Sequence, residues 1–147
     1  MQYHIYLAGE IHTPWREDFE HSDLPVQWLS PVTDHAASDD CGVALLGEEQ
    51  KAYWHDQKGA RMNAVRTRTM IQQADIVVVK FGEQYRQWNA AFDAGVASAL
   101  GKSLIVIHPD AFQHALKEID AAANVVTDCP SKALAAIRYI IEGKLPG

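Results

Sequence analysis

The sequence predicts a three-layer α/β domain built on a mostly parallel five-stranded sheet. Three observations predict it. Short β-rich or continuously apolar runs alternate with helical patterns from end to end. The central runs, 75–81 and 103–108, are apolar without alternation, as in strands covered on both faces. No internal repeat or low-complexity linker divides the 147 residues, a length that matches one domain spanning 1–147.

Tyr3–Ala8 is β-rich and stops at Gly9, a first strand delivering the chain into a turn. Thr13 as N-cap, Pro14 at the first helical position and the acidic Glu17 and Asp18 predict a short helix starting at Pro14. Val26–Ser30, stopped by Pro31, is the second strand, and the polar stretch Asp34–Gly42 reads as a long irregular loop. Met62, Val65, Met70 and Ile71 recur at loose helical spacing and predict a helix over 60–73. Asp75–Phe81, closed by Gly82, is the third strand. Trp88–Leu100 carries Phe92, Val96, Ala99 and Leu100 along one helical face, with Gly101 placed for a left-handed cap. Ser103–His108 is the fourth strand, Pro109–Ala123 a helix, Val125–Thr127 the fifth strand, and Ser131–Glu142 an amphipathic helix capped by Gly143. Such alternation, joined by right-handed crossovers, predicts the flavodoxin-like order 2-1-3-4-5 with helices on both faces, a three-layer sandwich.

Composition excludes several classes. A balance of 48% hydrophobic and 22% charged residues is that of a globular chain. A formal charge of −6 argues against binding a nucleic-acid polymer, which relies on excess Lys and Arg to release counterions. Cys41 and Cys129 form neither a disulfide framework nor a zinc spacing, and no leader or membrane-spanning run is visible, so a cytoplasmic protein without membrane contact is expected.

In the 2-1-3-4-5 order the connections after strands one and three leave in opposite directions and open a crevice at the carboxyl ends of those strands. Topology nominates Gly9–Arg16, with Glu10, His12, Trp15 and Arg16, and the segment from Phe81 and Gly82 to Trp88 and Asn89, which also holds Glu83, Tyr85 and Arg86. With Asn89 as N-cap, Asp93 falls one turn into the helix on the same face, and the helix dipole is expected to keep its carboxylate ionised. An ionised carboxylate there is a nucleophile or a hydrogen-bond acceptor. Trp88 is placed either to stack on a base or to plug the sheet edge.

Three blocks carry a resemblance: Ile5-Tyr6-Leu7-Ala8-Gly9-Glu10, Ala74-Asp75-Ile76-Val77-Val78-Val79, and Phe92–Lys102 with Asp93-Ala94-Gly95 at its head. They resemble the nucleoside 2-deoxyribosyltransferase superfamily. Tyr85–Lys102 and Asp34–Gly42 look more closely like its YtoQ group, over nearly the whole chain. The resemblance implies a flavodoxin-like fold and cleavage of an N-glycosidic bond. A carboxylate on the helix after strand three, here Asp93, attacks C1′, and a strand-one tyrosine, here Tyr6, positions it. The usual nucleophile of the family is glutamate, one methylene longer. Thr67 stands near the place of a family acid on the preceding helix, and Arg16 where relatives acting on nucleoside monophosphates bind phosphate.

The candidate site is therefore Asp93 and Tyr6 as catalytic residues, with Gly9, Glu10, Arg16, Phe81, Gly82, Trp88 and Asn89 holding a nucleoside or nucleotide. No metal or organic cofactor is expected. His35, Asp39, Asp40 and Cys41 have ligand chemistry but no structural zinc spacing, and no Gly-x-Gly-x-x-Gly follows the first strand. Arg61, Arg66 and Arg68 read as a solvent face. The competing reading keeps the crevice as a binding module or sensor for a nucleotide-like metabolite. A homo-oligomer is expected from the resemblance, with Tyr53-Trp54-His55 as a contact between subunits.

Overall fold

The computed structural model of the protein describes residues 2–147. In chain order the elements are β1 (Tyr3–Gly9), α1 (Glu17–Glu20), β2 (Val26–Leu29), α2 (His35–Leu46), α3 (Ala52–Gln73) and β3 (Ile76–Lys80). There follow α4 (Trp88–Ala99), β4 (Ser103–Ile107), α5 (Lys117–Ala122), β5 (Val125–Thr127) and α6 (Pro130–Glu142), with a 3₁₀ turn at Asp110–Phe112. The five strands form one all-parallel sheet in the order β2-β1-β3-β4-β5. This is the predicted architecture.

Side chains alternate across each strand, so the sheet separates two cores. Ile5, Leu7, Ile76, Val78, Ile105 and Ile107 face one side, where Trp15, Phe19, Ala133 and Ile137 cover them. Tyr6, Ala8, Val77, Val79, Leu104 and Val106 face the other, under Met70 and Ile71 of α3 and Ala90, Ala94 and Ala97 of α4. Fully burying each aliphatic chain is worth roughly 1.5–3 kcal/mol, which is why β1, β3 and β4 need no alternation with polar residues. The alanines of α4 let it lie close on the sheet, and that closeness brings Asp93 to the Tyr6 side.

Helix α4 closes as foreseen at Gly101, φ +73°: the Lys102 and Gly101 amides donate to the carbonyls of Ala97 and Ser98, the crossed pair of a Schellman cap. Four expectations need correction. No helix begins at Pro14: the Thr13 hydroxyl is turned to the Glu10 carboxylate, and α1 is a single turn from Glu17. The stretch Asp34–Gly42 is mostly helical. The Asp34 carboxylate accepts from the Ala37 amide at 2.8 Å and caps α2. Helix α3 starts eight residues before Ala60, at Ala52, and packs against α2 where Gly42 meets Lys58 and Gly59; a Cβ on Gly42 would overlap the facing backbone. The segment 109–123 is broken: the Phe112 and Gln113 amides donate three residues back, to Pro109 and Asp110, and α5 resumes only at Lys117. Among the described residues no helix is long and apolar enough to cross a membrane.

Candidate functional site

The crevice begins where β1 ends. Gly9 takes φ +109° and lies against Lys80 so closely that a Cβ would overlap the Lys80 carbonyl. This allows the Glu10 amide to donate to the Lys80 carbonyl at 3.0 Å and locks the turn onto β3. The carbonyls that the turn exposes are satisfied from α1 and the residues leading into it. Arg16 donates from Nε to Leu7, from Nη1 to Glu10 and from Nη2 to Gly9, at 2.9, 2.7 and 3.2 Å. The Trp15 indole N–H donates to the Glu10 carbonyl at 2.9 Å, and the guanidinium lies 4.6 Å from the Trp15 ring centre. Burial lowers the Arg16 pKa to about 10, so it stays charged at neutral pH.

The Glu10 side chain is 3% exposed and fully engaged. It accepts from the His12 and Thr13 amides at 2.7 and 3.0 Å, from the Thr13 hydroxyl, and from Lys80 Nζ at 3.1 Å. Burial alone would raise its pKa; the donors from Thr13, Lys80 and His12 outweigh burial and hold it below the usual glutamate range.

Beyond this turn lies a cavity of about 500 Å³. Tyr6, Gly9, Glu10, Ala90 and Asp93 form its sheet-side wall. Asn63, Arg66, Thr67 and Met70 line it from α3, and His35, Ser38 and Asp39 from α2. Tyr85, Arg86, Trp88 and Asn89 stand along its rim, and Trp88 is 73% exposed. The His12 ring sits 4.6 Å from the Tyr85 ring and 5.4 Å from that of His35, an aromatic edge to the opening.

Asp93 differs from Glu10 in what surrounds it. Helix α4 begins at Trp88, one residue before Asn89, and Gln87 holds the cap position while its side chain accepts the Gly82 amide at 2.9 Å. Asp93 is thus the sixth helical residue, past the first turn in which the dipole is strongest. No donor reaches its carboxyl among the described residues, and burial raises its pKa to about 7. The expectation of a dipole-stabilised anion is corrected on this point. Burial likewise pushes the Tyr6 phenol up to about 12, with the Asp93 charge adding to the rise and Thr67, Arg16 and Arg66 opposing it. At neutral pH Tyr6 is a protonated phenol available as a donor.

The structure brings together Tyr6, Gly9, Glu10, Trp88, Asn89 and Asp93 around one cavity. It does not bring Arg16, Phe81 or Gly82 there. The Arg16 guanidinium is committed to backbone carbonyls, and Phe81 and Gly82 line a second space of about 390 Å³ on the far side of Glu10, with Lys80 and His108. The residues of α2 went unseen because that segment reads as loop; Asp34 ahead of two alanines is the capping signal that could have revealed it. Arg66 is exposed, as expected of a solvent face, and four-residue spacing from Met70 also sets it at the border of the cavity. The metal-ligating types of α2 diverge: His35 pairs with Asp39 at 3.1 Å, Asp40 with His55 at 3.0 Å, and Cys41 Sγ faces the carbonyls of Ser38 and Gly59. Among the described residues no three such side chains converge on a point.

Two comparisons with known proteins bear on this geometry. The sequence model of the family described as "Nucleoside 2-deoxyribosyltransferase YtoQ" matches residues 6–141. The Bacillus subtilis (strain 168) protein described as "Uncharacterized protein YtoQ" is 38% identical over 146 residues, which cover 97% of this chain and 99% of that protein.

Proposed function

The chain belongs to the nucleoside 2-deoxyribosyltransferase YtoQ family, and on that premise we propose that it cleaves or exchanges the N-glycosidic bond of a nucleoside or nucleotide. The observation that carries the reading is a carboxyl without hydrogen-bond donors, Asp93, at the wall of a cavity of about 500 Å³ that a protonated tyrosine also lines. In its ionised form an Asp93 oxygen attacks C1′. The C1′–N bond breaks, its electron pair leaves with the base, and the base nitrogen takes a proton from water. Water or a second base then attacks C1′, the ester bond to Asp93 breaks, and the carboxylate is regenerated; with water as acceptor the proton lost on attack balances the one the base took up. Two inversions give retention at C1′. Tyr6, whose protonated phenol lines the same cavity, is the group that on this reading orients the carboxyl once substrate is bound, while Trp88 and Asn89 at the rim hold base or sugar.

The test is incubation of the pure protein with deoxynucleosides, ribonucleosides and their 5′-monophosphates, with and without an acceptor base, followed by chromatography. Released or exchanged base that disappears in Asp93→Ala is expected; no turnover of any member of the panel overturns catalysis. A second reading, a binding module for a nucleotide-like metabolite, is favoured by the shorter carboxyl, whose pKa burial raises to about 7 with no donor to oppose it. Thermal stabilisation by a nucleoside without product formation would establish it. The family premise also leads us to propose a homo-oligomer. Val65, Trp88 and Phe92, 68%, 73% and 68% exposed, offer apolar surface on α3 and α4 beside the cavity, and light scattering on a sizing column gives the subunit number.

A further inference from the structure

We propose that Gln87 is a positioning residue, whose side chain clamps the loop between β3 and α4 and so holds Trp88 and Asn89 at the rim of the cavity. This rests on reading the cavity as a nucleoside site, with those two residues against base or sugar. The clamp is the Gly82 amide donating to Gln87 Oε1 at 2.9 Å across the base of the loop.

The loop starts from a fixed point. The Phe81 amide donates to the Ile107 carbonyl at 2.8 Å, and Gly82 is buried so closely against Glu10 that a Cβ would lie 3.0 Å from Glu10 Cγ. A buried amide needs an acceptor within the protein, and the Gln87 side chain, five residues on, supplies it. Beyond that point the chain has few ties. Glu83, Gln84, Tyr85 and Arg86 are all exposed, and among the described residues none of the four takes part in a backbone hydrogen bond. Gln87 also holds the N-cap position of α4, where a polar side chain ordinarily accepts from the first amides of its own helix. That of Gln87 makes no such bond and reaches back to Gly82 instead. The helix goes uncapped and the loop is closed. Trp88 and Asn89 follow directly, as the first two residues of α4, both exposed and both lining the cavity, so their aim is set by the backbone that carries them. Asp93 lies further along, where Ala90 and Ala94 seat α4 on the sheet. Loss of the clamp therefore weakens the grip on substrate and leaves the reacting carboxyl in place.

Two variants of the full chain test this. Gln87→Met keeps the length of the side chain and removes the acceptor, whereas Gln87→Glu keeps an acceptor and removes the amide donors. Hydrogen exchange without ligand reads the clamp, and kcat and KM on the panel of deoxynucleosides and ribonucleosides read its effect. In Gln87→Met the Gly82 amide is expected to exchange ~10-fold faster and KM to rise ~10-fold at parental kcat, the loss of one bond to a buried donor being worth about that factor. Gln87→Glu is expected to restore both. Parental exchange at Gly82 in Gln87→Met overturns the clamp. An equal rise in KM in the two variants also overturns it, because the Gln87 amide would then be touching the ligand itself, and a fall in kcat at parental KM would move the effect from the rim to the chemistry. The two readings fail separately. If the parent protein turns over no nucleoside, the proposed chemistry falls while exchange at Gly82 still decides the clamp. Turnover with KM unaltered in Gln87→Met sustains the chemistry and removes the role of Gln87.

Discussion

Glu10 and Asp93 are two carboxyl groups on the wall of the same cavity, and they are set in opposite states. Glu10 is held as an anion below the usual glutamate range, whereas burial raises the Asp93 pKa to about 7. The difference is donors. Two backbone amides, a hydroxyl and an ammonium surround Glu10, and none reaches Asp93. Burial raises both carboxyls, and only at Glu10 do hydrogen bonds to the ionised form outweigh it. The satisfied carboxylate holds the turn together, and the unsatisfied one is the group the proposed function rests on.

This contrast can be broken at either end. Replacing Asp93 by Ala should have the largest effect, a loss of base release of ~10⁴-fold or more if it is the nucleophile, while the fold persists. Unchanged turnover would remove Asp93 from the chemistry. Glu10→Ala should act on stability first. It leaves the half-buried Lys80 ammonium and two amides without their partner, at a cost of about 3 kcal/mol and a fall in Tm on the order of 10 °C. A Tm within about 2 °C of the parent would show that the donors around Glu10 are not holding the turn.

Asp93→Asn sharpens the comparison from the other side. With a folded pKa of about 7 against an ordinary 3.8, ionisation of Asp93 opposes folding increasingly between those values and fully above the higher one. The amide should therefore be more stable than the parent at pH 8, by on the order of 2 kcal/mol, and indistinguishable from it below pH 4. Denaturant melts at the two pH values read this directly, and a gain at pH 4 equal to that at pH 8 would contradict the assignment. On the proposed chemistry, kcat/KM of the parent protein should rise with pH through about 7 as the free carboxyl ionises.

The smallest effect concerns a pair outside the cavity. His108 is held at 2.7 Å from the Pro109 carbonyl through Nδ1 and at 2.8 Å from Asp120 through Nε2. Burial works against its charge, but these acceptors raise its pKa above the usual value. The pair's stabilisation is present in acid and lost as pH rises through that raised value, so Asp120→Asn should cost about 1 kcal/mol at pH 5 and little at pH 9. An equal cost at both would mean that packing, not charge, is what Asp120 supplies.

The sheet was legible because buried parallel strands write themselves as apolar runs. Val77–Val79 and Leu104–Ile107 leave almost no other assignment, and the alternation of elements then dictates the order. The candidate site was legible in outline for the same reason, since Gly9, Trp88 and Asp93, which line one cavity, follow strand ends in the sequence. Helix α2 was hidden because it packs on α3 and not on the sheet, and so carries no strong apolar stripe. The role of Arg16 was hidden because a clasp on carbonyls belongs to the course of the backbone and leaves no spacing pattern between side chains. The Asp93 ionisation depends on donors that are absent, and an absence in space has no sequence signature.

The clasp at the end of β1 has a consequence for association kinetics. Gly9 and Glu10 are joined to Lys80 by one backbone and one side-chain bond, and Arg16 and Trp15 fasten the carbonyls behind them, so this wall of the cavity is ordered by folding itself. A ligand arriving there has no wandering turn to collect, and the conformational entropy of that turn does not count against its affinity. Encounter is then governed by diffusion and by the field around the opening, and discrimination between ligands falls to how quickly each one leaves.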